Sequence, residues 1–298
     1  MRPAIAPIIA AVRRAALCFK WRERRYTGIP TAAAPVLVGN SVRRGPIGFC
    51  IYCGTTANLT DEHVIPYGLA GDRLILEMAS CQSCARITSR LERAVLRGFM
   101  LKARTVASLP TRRPKQRPKS FPLQASDGKE LKTFTLPVAN YPALLQLPRL
   151  VPPGFLAGRP YAGGVTVSGC EILRFGKDPG RVAKELGIRT IQVTDRIDVT
   201  AFARMLAKIG YAFAVFERGP FPLSEVPVLP LILGRSNDAS AWVGSAEFET
   251  ESEKRGAPWV LGTYEGTRLD ERVTIARVKL FANAGATGYE VVVRRARS

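Results

Sequence analysis

Two pairs of cysteines constrain this chain more than any other feature of its sequence. Cys50 and Cys53 form one CxxC pair, Cys81 and Cys84 form the second, and 27 residues (54–80) separate them. Zinc prefers four ligands at the corners of a tetrahedron, and a CxxC turn supplies two thiolates at the required separation. A redox dithiol would need a single pair. The spacing therefore predicts a structural Zn2+ site on Cys50, Cys53, Cys81 and Cys84.

The rest of the sequence agrees with a metal site rather than a disulfide framework. We find no secretory segment with a cleavage site, and no run of about 18 apolar residues that would predict a transmembrane helix. Tight cysteine pairs in a chain that is not secreted favour metal binding. We therefore expect a cytoplasmic protein with no membrane partner; the sequence does not identify protein partners. Cys18 and Cys170 are interpreted as ordinary thiols.

The charge of the chain predicts a polyanionic partner. Its 298 residues include 44 Lys and Arg against 24 Asp and Glu, which gives a formal net charge of +20. Nucleic acid is the first candidate for such a surface, and an anionic membrane surface is the second. A basic surface with no bound partner is the alternative. We expect DNA as the partner, with RNA as the other nucleic-acid candidate.

The insertion between the cysteine pairs contains the chain's single histidine, His63. A lone histidine is usually structural, but the setting of this one favours catalysis. Asp61 and Glu62 precede it, and Val64 and Ile65, which favour a strand, follow it before Pro66. A neutral imidazole can accept a proton from water near neutral pH, which is the task of a general base.

These motifs resemble those of the cysteine-containing HNH endonucleases. The sequences CIYCG (50–54), LTDEHVIPYGLAGD (59–72) and ASCQSCA (79–85) follow the order of that family: CxxC, a D/E-H-x-x-P strand, a Gly-rich loop, and CxxC opening a helix. The resemblance covers residues 47–100. It implies a ββα-metal fold, in which zinc pins two strands and a helix, with a second metal between strand and helix.

The resemblance also implies roles for individual residues. His63 would be the general base, and Glu62 would bind a catalytic Mg2+ or Mn2+, or another divalent ion. Adjacent strand residues face opposite ways unless the strand is bulged, so Asp61 is a reserve ligand. The implied activity is a metal-dependent DNA endonuclease that hydrolyses phosphodiester bonds.

The helix side departs from the family pattern. Ala85 stands where the family usually has His or Asn, and residues 72–77 contain neither. Glu92 matches a carboxylate that one branch carries eight residues after the last cysteine, so it is a candidate second ligand of the catalytic ion. A salt bridge from Glu92 to a neighbouring arginine is the alternative.

The predicted fold class is α+β, with four parts. Residues 1–46 form a basic segment predicted to be disordered, and 47–100 form the ββα-metal module. Residues 101–126 form a basic, Pro-rich linker, and 127–298 form a separate α/β domain of unknown role. We expect helices at 179–186 and 199–218, and strands at 164–175, 190–194, 228–233, 259–264, 273–281 and 289–294.

The basic linker is also a candidate nucleic-acid contact. From Arg93 to Ser126 the chain has nine cations and no acids. The functional interpretation is an arm that lies along phosphates, and the alternative is a solvated linker. The cations of that arm are Arg112, Arg113, Lys115, Arg117 and Lys119.

Two other functions remain open from the sequence. One is a non-catalytic, zinc-stabilised module that binds nucleic acid, in which Glu62 and His63 have no catalytic task. The other is an interaction protein whose function lies in residues 127–298.

Overall fold

The computed structural model describes residues 41–160, 163–193, 195–248 and 256–297. Twelve strands lie in this part of the chain: β1 Val42–Arg44, β2 Leu59–His63, β3 Leu74–Cys81, β4 Ser120–Ser126, β5 Leu131–Pro137, β6 Pro142–Leu150, β7 Val167–Gly176, β8 Thr190–Gln192, β9 Val243–Ala246, β10 Trp259–Arg268, β11 Glu271–Leu280 and β12 Gly288–Arg297. Eight α-helices accompany them: α1 Tyr67–Ala70, α2 Gln82–Leu96, α3 Leu101–Val106, α4 Gly154–Ala157, α5 Pro179–Leu186, α6 Val199–Arg218, α7 Leu229–Ile232 and α8 Ala239–Trp242. The expected mixed α+β class is confirmed.

The cysteine-containing part of the chain is built on a three-stranded sheet with the order β1-β3-β2. Strand β2 pairs antiparallel with β3, and β1 pairs parallel with β3 on its other edge. Helix α2 begins at the residue after β3 ends. The segment that holds the motifs therefore runs β2, the short helix α1, β3 and α2.

The second half of the chain contains a four-stranded antiparallel sheet with the order β10-β11-β12-β9, and α6 packs against it. Asp198 caps α6 as expected, since its carboxylate accepts a hydrogen bond from the Ala201 amide at 2.8 Å. A Cβ atom on Gly210 would lie 3.0 Å from Val291 and 3.2 Å from Ala276. The absence of a side chain at Gly210 lets the helix approach the sheet this closely.

Helix α6 also packs against the cysteine-containing part of the chain. The Tyr211 hydroxyl donates a hydrogen bond to the Ile51 carbonyl at 2.7 Å. The Phe202 ring lies 5.6 Å from Phe99 on one side and 5.4 Å from Tyr289 on the other. One buried cluster includes residues on both sides of the predicted boundary between module and separate domain. That boundary therefore crosses a continuous hydrophobic core.

A second, smaller core is formed by the stretch of chain that lies between these two parts in the sequence. Strands β5, β4 and β8 form a three-stranded sheet, and β6 pairs with β7. Phe121, Tyr141 and Val182 are buried together in this smaller core. The expected helix over 179–186 is confirmed as α5, and the expected strands at 164–175 and 190–194 match β7 and β8 with small differences in their ends.

The segment predicted as a linker differs from that expectation. Residues 101–126 contain α3, a short 3-10 turn at Pro114–Gln116, and β4. Ala103 is buried on the helix, and Phe121 and Leu123 alternate into the smaller core along the strand. The basic composition of the segment obscured this alternation.

Two further expectations about local structure need correction. Residues 228–233 are not a strand, because Leu229–Ile232 forms the short helix α7, with Pro230 in its first turn. A short apolar run does not distinguish a buried strand from a buried helix. In the predicted disordered segment 1–46, residues 1–40 lie outside the described part, and Val42–Arg44 form β1.

The other strands and the long helix agree with the sequence. Strands β10, β11 and β12 occupy the expected positions, and α6 spans the predicted residues. Helix α6 is long and apolar enough to cross a membrane by composition, and 83% of its apolar window is buried inside the protein. Such burial is typical of a core helix, and the described residues give no strong sign of a membrane span.

Candidate functional site

The four cysteines of the two CxxC pairs come together, and we call Cys50, Cys53, Cys81 and Cys84 the cysteine cluster. Their sulfur atoms all lie within 4.8 Å of one another. The Sγ atoms of Cys53 and Cys81 are 3.7 Å apart. Sulfurs at the corners of a tetrahedral zinc site with Zn–S bonds of about 2.3 Å would lie about 3.8 Å apart. The cluster could therefore hold a structural metal ion such as zinc, as the sequence predicts.

Two local structures place these sulfurs. Cys50 and Cys53 lie in a tight turn, in which the Cys50 carbonyl accepts from the Gly54 amide at 2.8 Å. Cys81 ends β3 and caps α2, and its sulfur accepts from the Cys84 amide at 3.5 Å. The positive end of a helix macrodipole favours thiolates at this position.

Burial and hydrogen bonding act in opposite directions on the cluster's thiols. Burial raises the pKa of Cys50, and burial together with the nearby Cys50 sulfur raises the pKa of Cys84. At Cys81 burial also opposes ionisation, but hydrogen bonds from Cys84 and other cluster members lower its pKa to about 7. Several thiolates held together here would need a cation, and metal binding would release their protons.

A bulge in the β2–β3 hairpin sets the direction of the motif residues. Thr60 pairs with Ser80 and Glu62 pairs with Leu76, so the register shifts around Asp61. Asp61 Oδ1 accepts from the Met78 amide at 3.1 Å, and Met78 has a left-handed backbone with φ 49°. Asp61 thus stabilises the bulge and also pairs with Arg43. These contacts occupy the carboxylate that was the reserve metal ligand.

Glu62 and Glu92 do come together, and a lysine lies between them. The Lys208 Nζ is 2.6 Å from Glu62 Oε1 and 3.0 Å from Glu92 Oε1, and it also donates to the His63 carbonyl. Lys208 lies on α6 and is fully buried, with 0% exposure. We call Glu62, Glu92 and Lys208 the lysine–carboxylate cluster. Glu92 therefore pairs with Lys208 rather than with a neighbouring arginine on α2.

The charges of this cluster depend on one another. Burial alone would lower the pKa of Lys208, but the carboxylates of Glu62 and Glu92 outweigh burial and raise it. Burial raises the pKa of Glu92, and Lys208 opposes that shift. Lys208 is therefore held as an ammonium between two carboxyl groups that have little contact with water.

The expected catalytic Mg2+ or Mn2+ does not fit this arrangement. The ammonium group already contacts an oxygen of each candidate ligand, Glu62 and Glu92. Ala85, on the helix side of this arrangement, has no side-chain atom that could bind a metal. Within the described residues, the cysteine cluster is the group found with metal-binding geometry.

His63 lies beside the lysine–carboxylate cluster and is partly exposed. Its Nε2 atom is 2.7 Å from Asp72 Oδ1. A carboxylate at this distance favours the tautomer that carries its proton on Nε2, which leaves a lone pair on Nδ1. The Tyr67 ring packs edge-on against the imidazole at 5.9 Å, and the Arg112 guanidinium lies over Tyr67 at 4.8 Å.

His63, Tyr67 and Arg112 line a cleft of about 460 Å³ between β2 and α2. Its walls include Glu62, His63 and Glu92, and also Ala85 and Thr88 of α2. Four arginines complete the lining, and we call them the cleft arginines: Arg93, Arg97, Arg104 and Arg112. The cleft therefore places a candidate proton acceptor beside a set of cations that suit phosphate groups.

Arg104 shows how the chain fixes one of these cations. Its guanidinium donates to the carbonyls of Gly68 and Leu96, each at 2.8 Å, and to Pro110 at 3.1 Å. Burial, together with the nearby charges of Arg117 and Arg97, lowers its pKa to about 10. The group therefore stays charged at neutral pH, in a basic environment that would favour an anion.

The five cations of the predicted arm are divided among different surroundings. Arg112 joins the cleft wall, while Arg113 and Arg117 line an adjoining pocket of about 240 Å³ with Arg97 and Arg104. Lys115 and Lys119 are exposed. Part of the basic segment thus continues the charged surface of the cleft.

The sequence predicted Glu62, His63, Glu92 and Arg112 as site residues. It did not predict Asp72, Lys208 or three of the cleft arginines, Arg93, Arg97 and Arg104. Lys208 does leave a signal, because it is the one charged residue from Met205 to Phe216 of α6. Such a residue is expected to find a buried partner.

Comparison with known proteins adds no relative: no protein-family model, no curated protein and no solved structure matches this chain.

Proposed function

We propose that this protein is a DNA endonuclease of the HNH type, in which His63 acts as the general base in a cleft between a zinc-pinned hairpin and helix. The observation that carries the proposal is the cleft itself. It combines His63, oriented by Asp72 at 2.7 Å, with the cleft arginines. A general base and phosphate-binding cations in one cavity suit phosphodiester hydrolysis.

The order of elements supports the same proposal. Strand β2 with His63, the short helix α1, strand β3 and helix α2 follow in that order, and the cysteine cluster brings the turn at Cys50 and Cys53 against the junction of β3 and α2. This is the arrangement that the resemblance to the HNH endonucleases implies as a ββα-metal module. Zinc on the cysteine cluster would fix the angle between the hairpin and the helix, and so the width of the cleft.

The reaction needs one displacement at phosphorus and two proton transfers, one from the attacking water and one to the departing oxygen. A water molecule forms a bond from its oxygen to the phosphorus, and its proton passes to the free nitrogen of His63. The bond from phosphorus to the 3′ oxygen breaks, and that oxygen takes a proton from solvent. Guanidinium groups stabilise the negative charge that builds on the phosphoryl oxygens. Asp72 stabilises the imidazolium while it holds the proton.

The net charge of +20 supports a nucleic acid as the substrate. The pocket beside the cleft adds Arg113 and Arg117 to the charged surface, which would extend the contact along the backbone of a strand. Contacts to phosphate and sugar would position a nucleic acid but carry no sequence specificity by themselves.

A second candidate function is a zinc-stabilised module that binds nucleic acid without cutting it. The contacts of Lys208 favour this alternative, because they occupy both carboxylates that would otherwise bind a catalytic ion. Ala85 favours it as well. It explains the charge and the cysteine cluster, and leaves His63 without a catalytic task.

The test is nicking of supercoiled plasmid at low salt by the wild-type protein and by His63→Ala, each with and without Mg2+. We expect nicking by the wild type and a loss of at least about a hundredfold in the variant, the range for removal of a general base. Zinc content and the far-UV spectrum of the variant should match the wild type.

Equal cutting by both proteins would contradict the role of His63. Retardation of DNA by both proteins without cutting by either would favour the binding module. Cleavage of a single-stranded RNA under the same conditions would show whether RNA is also a substrate.

A further inference from the structure

Lys208 lies where the resemblance to the HNH endonucleases places a second metal ion. We propose that the Lys208 ammonium replaces that ion as the cation between Glu62 and Glu92, so that the cleft acts on phosphodiesters without a dissociable metal. The part of this inference that concerns catalysis rests on the proposed function. The part that concerns the cation rests on the lysine–carboxylate cluster alone.

Every N–H donor of the Lys208 ammonium has an acceptor. A lysine ammonium has three N–H donors and no acceptor. In this structure the three acceptors are Glu62 Oε1 at 2.6 Å, Glu92 Oε1 at 3.0 Å, and the His63 carbonyl. The ammonium already uses all three of its N–H donors. A divalent ion bound to the same carboxylate oxygens would therefore lie beside this positive charge and be repelled by it.

Lys208 is buried, unlike most lysines. Most surface lysines extend their ammonium groups into water, even when the stem is buried. Lys208 has 0% exposure, and its neighbours along α6, from Met205 to Ala212, are buried as well. The ammonium therefore does not extend into water, and it lies against both carboxylates.

Lys208 and the cleft arginines together could supply the two functions of a catalytic metal ion. A catalytic ion neutralises its carboxylate ligands and also stabilises charge on the phosphoryl group. Lys208 can do the first, but its burial keeps it from touching substrate, so it is a positioning residue. The second falls to the cleft arginines, three of which are exposed on the same wall: Arg93, Arg97 and Arg112.

Lys208 also connects this charge to His63. The ammonium donates to the carbonyl of the residue whose side chain would accept the proton. The contact fixes the backbone of β2 at its last residue, and Asp72 fixes the imidazole from the other side. Loss of Lys208 should therefore disturb the general base as well as the carboxylates.

The first experiment measures binding of Mn2+ by the intensity of its solution EPR spectrum, using full-length protein with its zinc in place. Mn2+ competes poorly with zinc for thiolates, so the cysteine cluster should not interfere. We expect no site on the wild type with a Kd below about 1 mM, weaker than sites built on two free carboxylates.

The informative variant is Lys208→Met, which keeps the length of the side chain and removes its charge. It frees both carboxylates, and we expect a single Mn2+ site at least about tenfold tighter than in the wild type. Lys102→Met is the matched control, because Lys102 is a partly buried lysine that pairs with Asp195 at 2.9 Å outside the cleft. It should bind Mn2+ as the wild type does.

A single Mn2+ site on the wild type, of the same affinity as in Lys208→Met, would overturn the proposal. So would a properly folded Lys208→Met variant that gains no site. The wild-type measurement needs no substitution, so the proposal stays testable even if Lys208→Met does not fold.

The second experiment repeats the plasmid assay in EDTA, with zinc content measured afterwards to show that the cysteine cluster stays loaded. We expect the wild type to nick at the same rate in EDTA as in Mg2+, within about twofold. Cutting that disappears in EDTA and returns with Mg2+, at constant zinc content, would overturn metal independence. If the wild type cuts under neither condition, the proposed function fails, while the Mn2+ experiment still decides the role of Lys208.

Discussion

The cysteine cluster and the lysine–carboxylate cluster each include one acidic group from α2, but they obtain their cation differently. Cys84 lies in the first turn of the helix and Glu92 lies two turns later. The four thiols have a geometry that suits an ion from solution. The carboxylates have a cation from the same chain, delivered by α6. Collected acidic groups therefore show that a cation is needed, and the three-dimensional partners decide whether that cation is a metal.

The largest expected effect comes from removing one ligand of the cysteine cluster. Cys50→Ala removes one of four ligands, and structural zinc binding supplies on the order of 10 kcal/mol in small zinc domains. We expect zinc content to fall from one ion per chain to none, with loss of far-UV signal from the hairpin and α2. Mass spectrometry of metal content and circular dichroism measure the two changes.

Cys170→Ala is the control for that variant. Cys170 is an exposed thiol on β7, outside the cysteine cluster. Zinc content and spectrum should stay at wild-type values. A Cys50→Ala protein that keeps its zinc and its spectrum would show that the four cysteines are not the ligands.

The next effect breaks the lysine–carboxylate side. Lys208→Met leaves two buried carboxylates without a cation, and breaking a buried ion pair in this way costs about 3–5 kcal/mol. The free energy of unfolding, measured by urea titration at pH 7, should fall by that amount. Addition of Glu62→Gln and Glu92→Gln should restore most of the loss, because neutral partners need no cation. Similar losses in the single and triple variants would mean that packing, rather than charge, is what Lys208 supplies.

A third prediction concerns Asp72, the partner of His63, which belongs to neither cluster. Asp72→Asn keeps the shape of the partner of His63 and removes the charge that stabilises the imidazolium. We expect nicking to fall about tenfold or more, with DNA affinity and thermal stability close to wild type. A rate that Asp72→Asn leaves unchanged would remove Asp72 from the site.

The smallest effect sharpens the comparison between neighbouring carboxylates. Asp61 and Glu62 are adjacent, but Asp61 pairs with Arg43 at the surface, whereas Glu62 pairs with Lys208 in the interior. Asp61→Asn should cost less than about 1 kcal/mol in the free energy of unfolding, since exposed ion pairs contribute little. Glu62→Gln should cost several times more. Equal costs for the two would contradict the burial contrast.

The sequence predicted those parts of the site that lie close together along the chain. The CxxC spacing predicted the cysteine cluster, and the order of the motifs predicted a strand near His63 and a helix after the second CxxC pair. Glu62 and Glu92 were expected to face each other across an ion. Hydrophobic periodicity identified α6, because a buried helix with a capping Asp198 leaves a strong local signal.

The rest could not be predicted because it depends on distant contacts. Lys208 is 146 positions after Glu62, and no local pattern says that α6 packs against α2. Strand β4 was hidden by the basic, Pro-rich sequence before it, where Pro114 and Pro118 favour extended backbone. The shared core between the two halves likewise arises from pairs such as Phe99 and Phe202, which only the folded chain brings together.

The position of Lys208 on α6 has a consequence for how this protein is made. Synthesis at about 5–20 residues per second delivers Lys208 roughly 7–30 s after Glu62. Until then, the two carboxylates of a nascent chain have water and free ions as their partners, and the cysteine cluster can already bind its metal. The cleft therefore completes its charge balance late in translation, after the hairpin and α2 have left the ribosome.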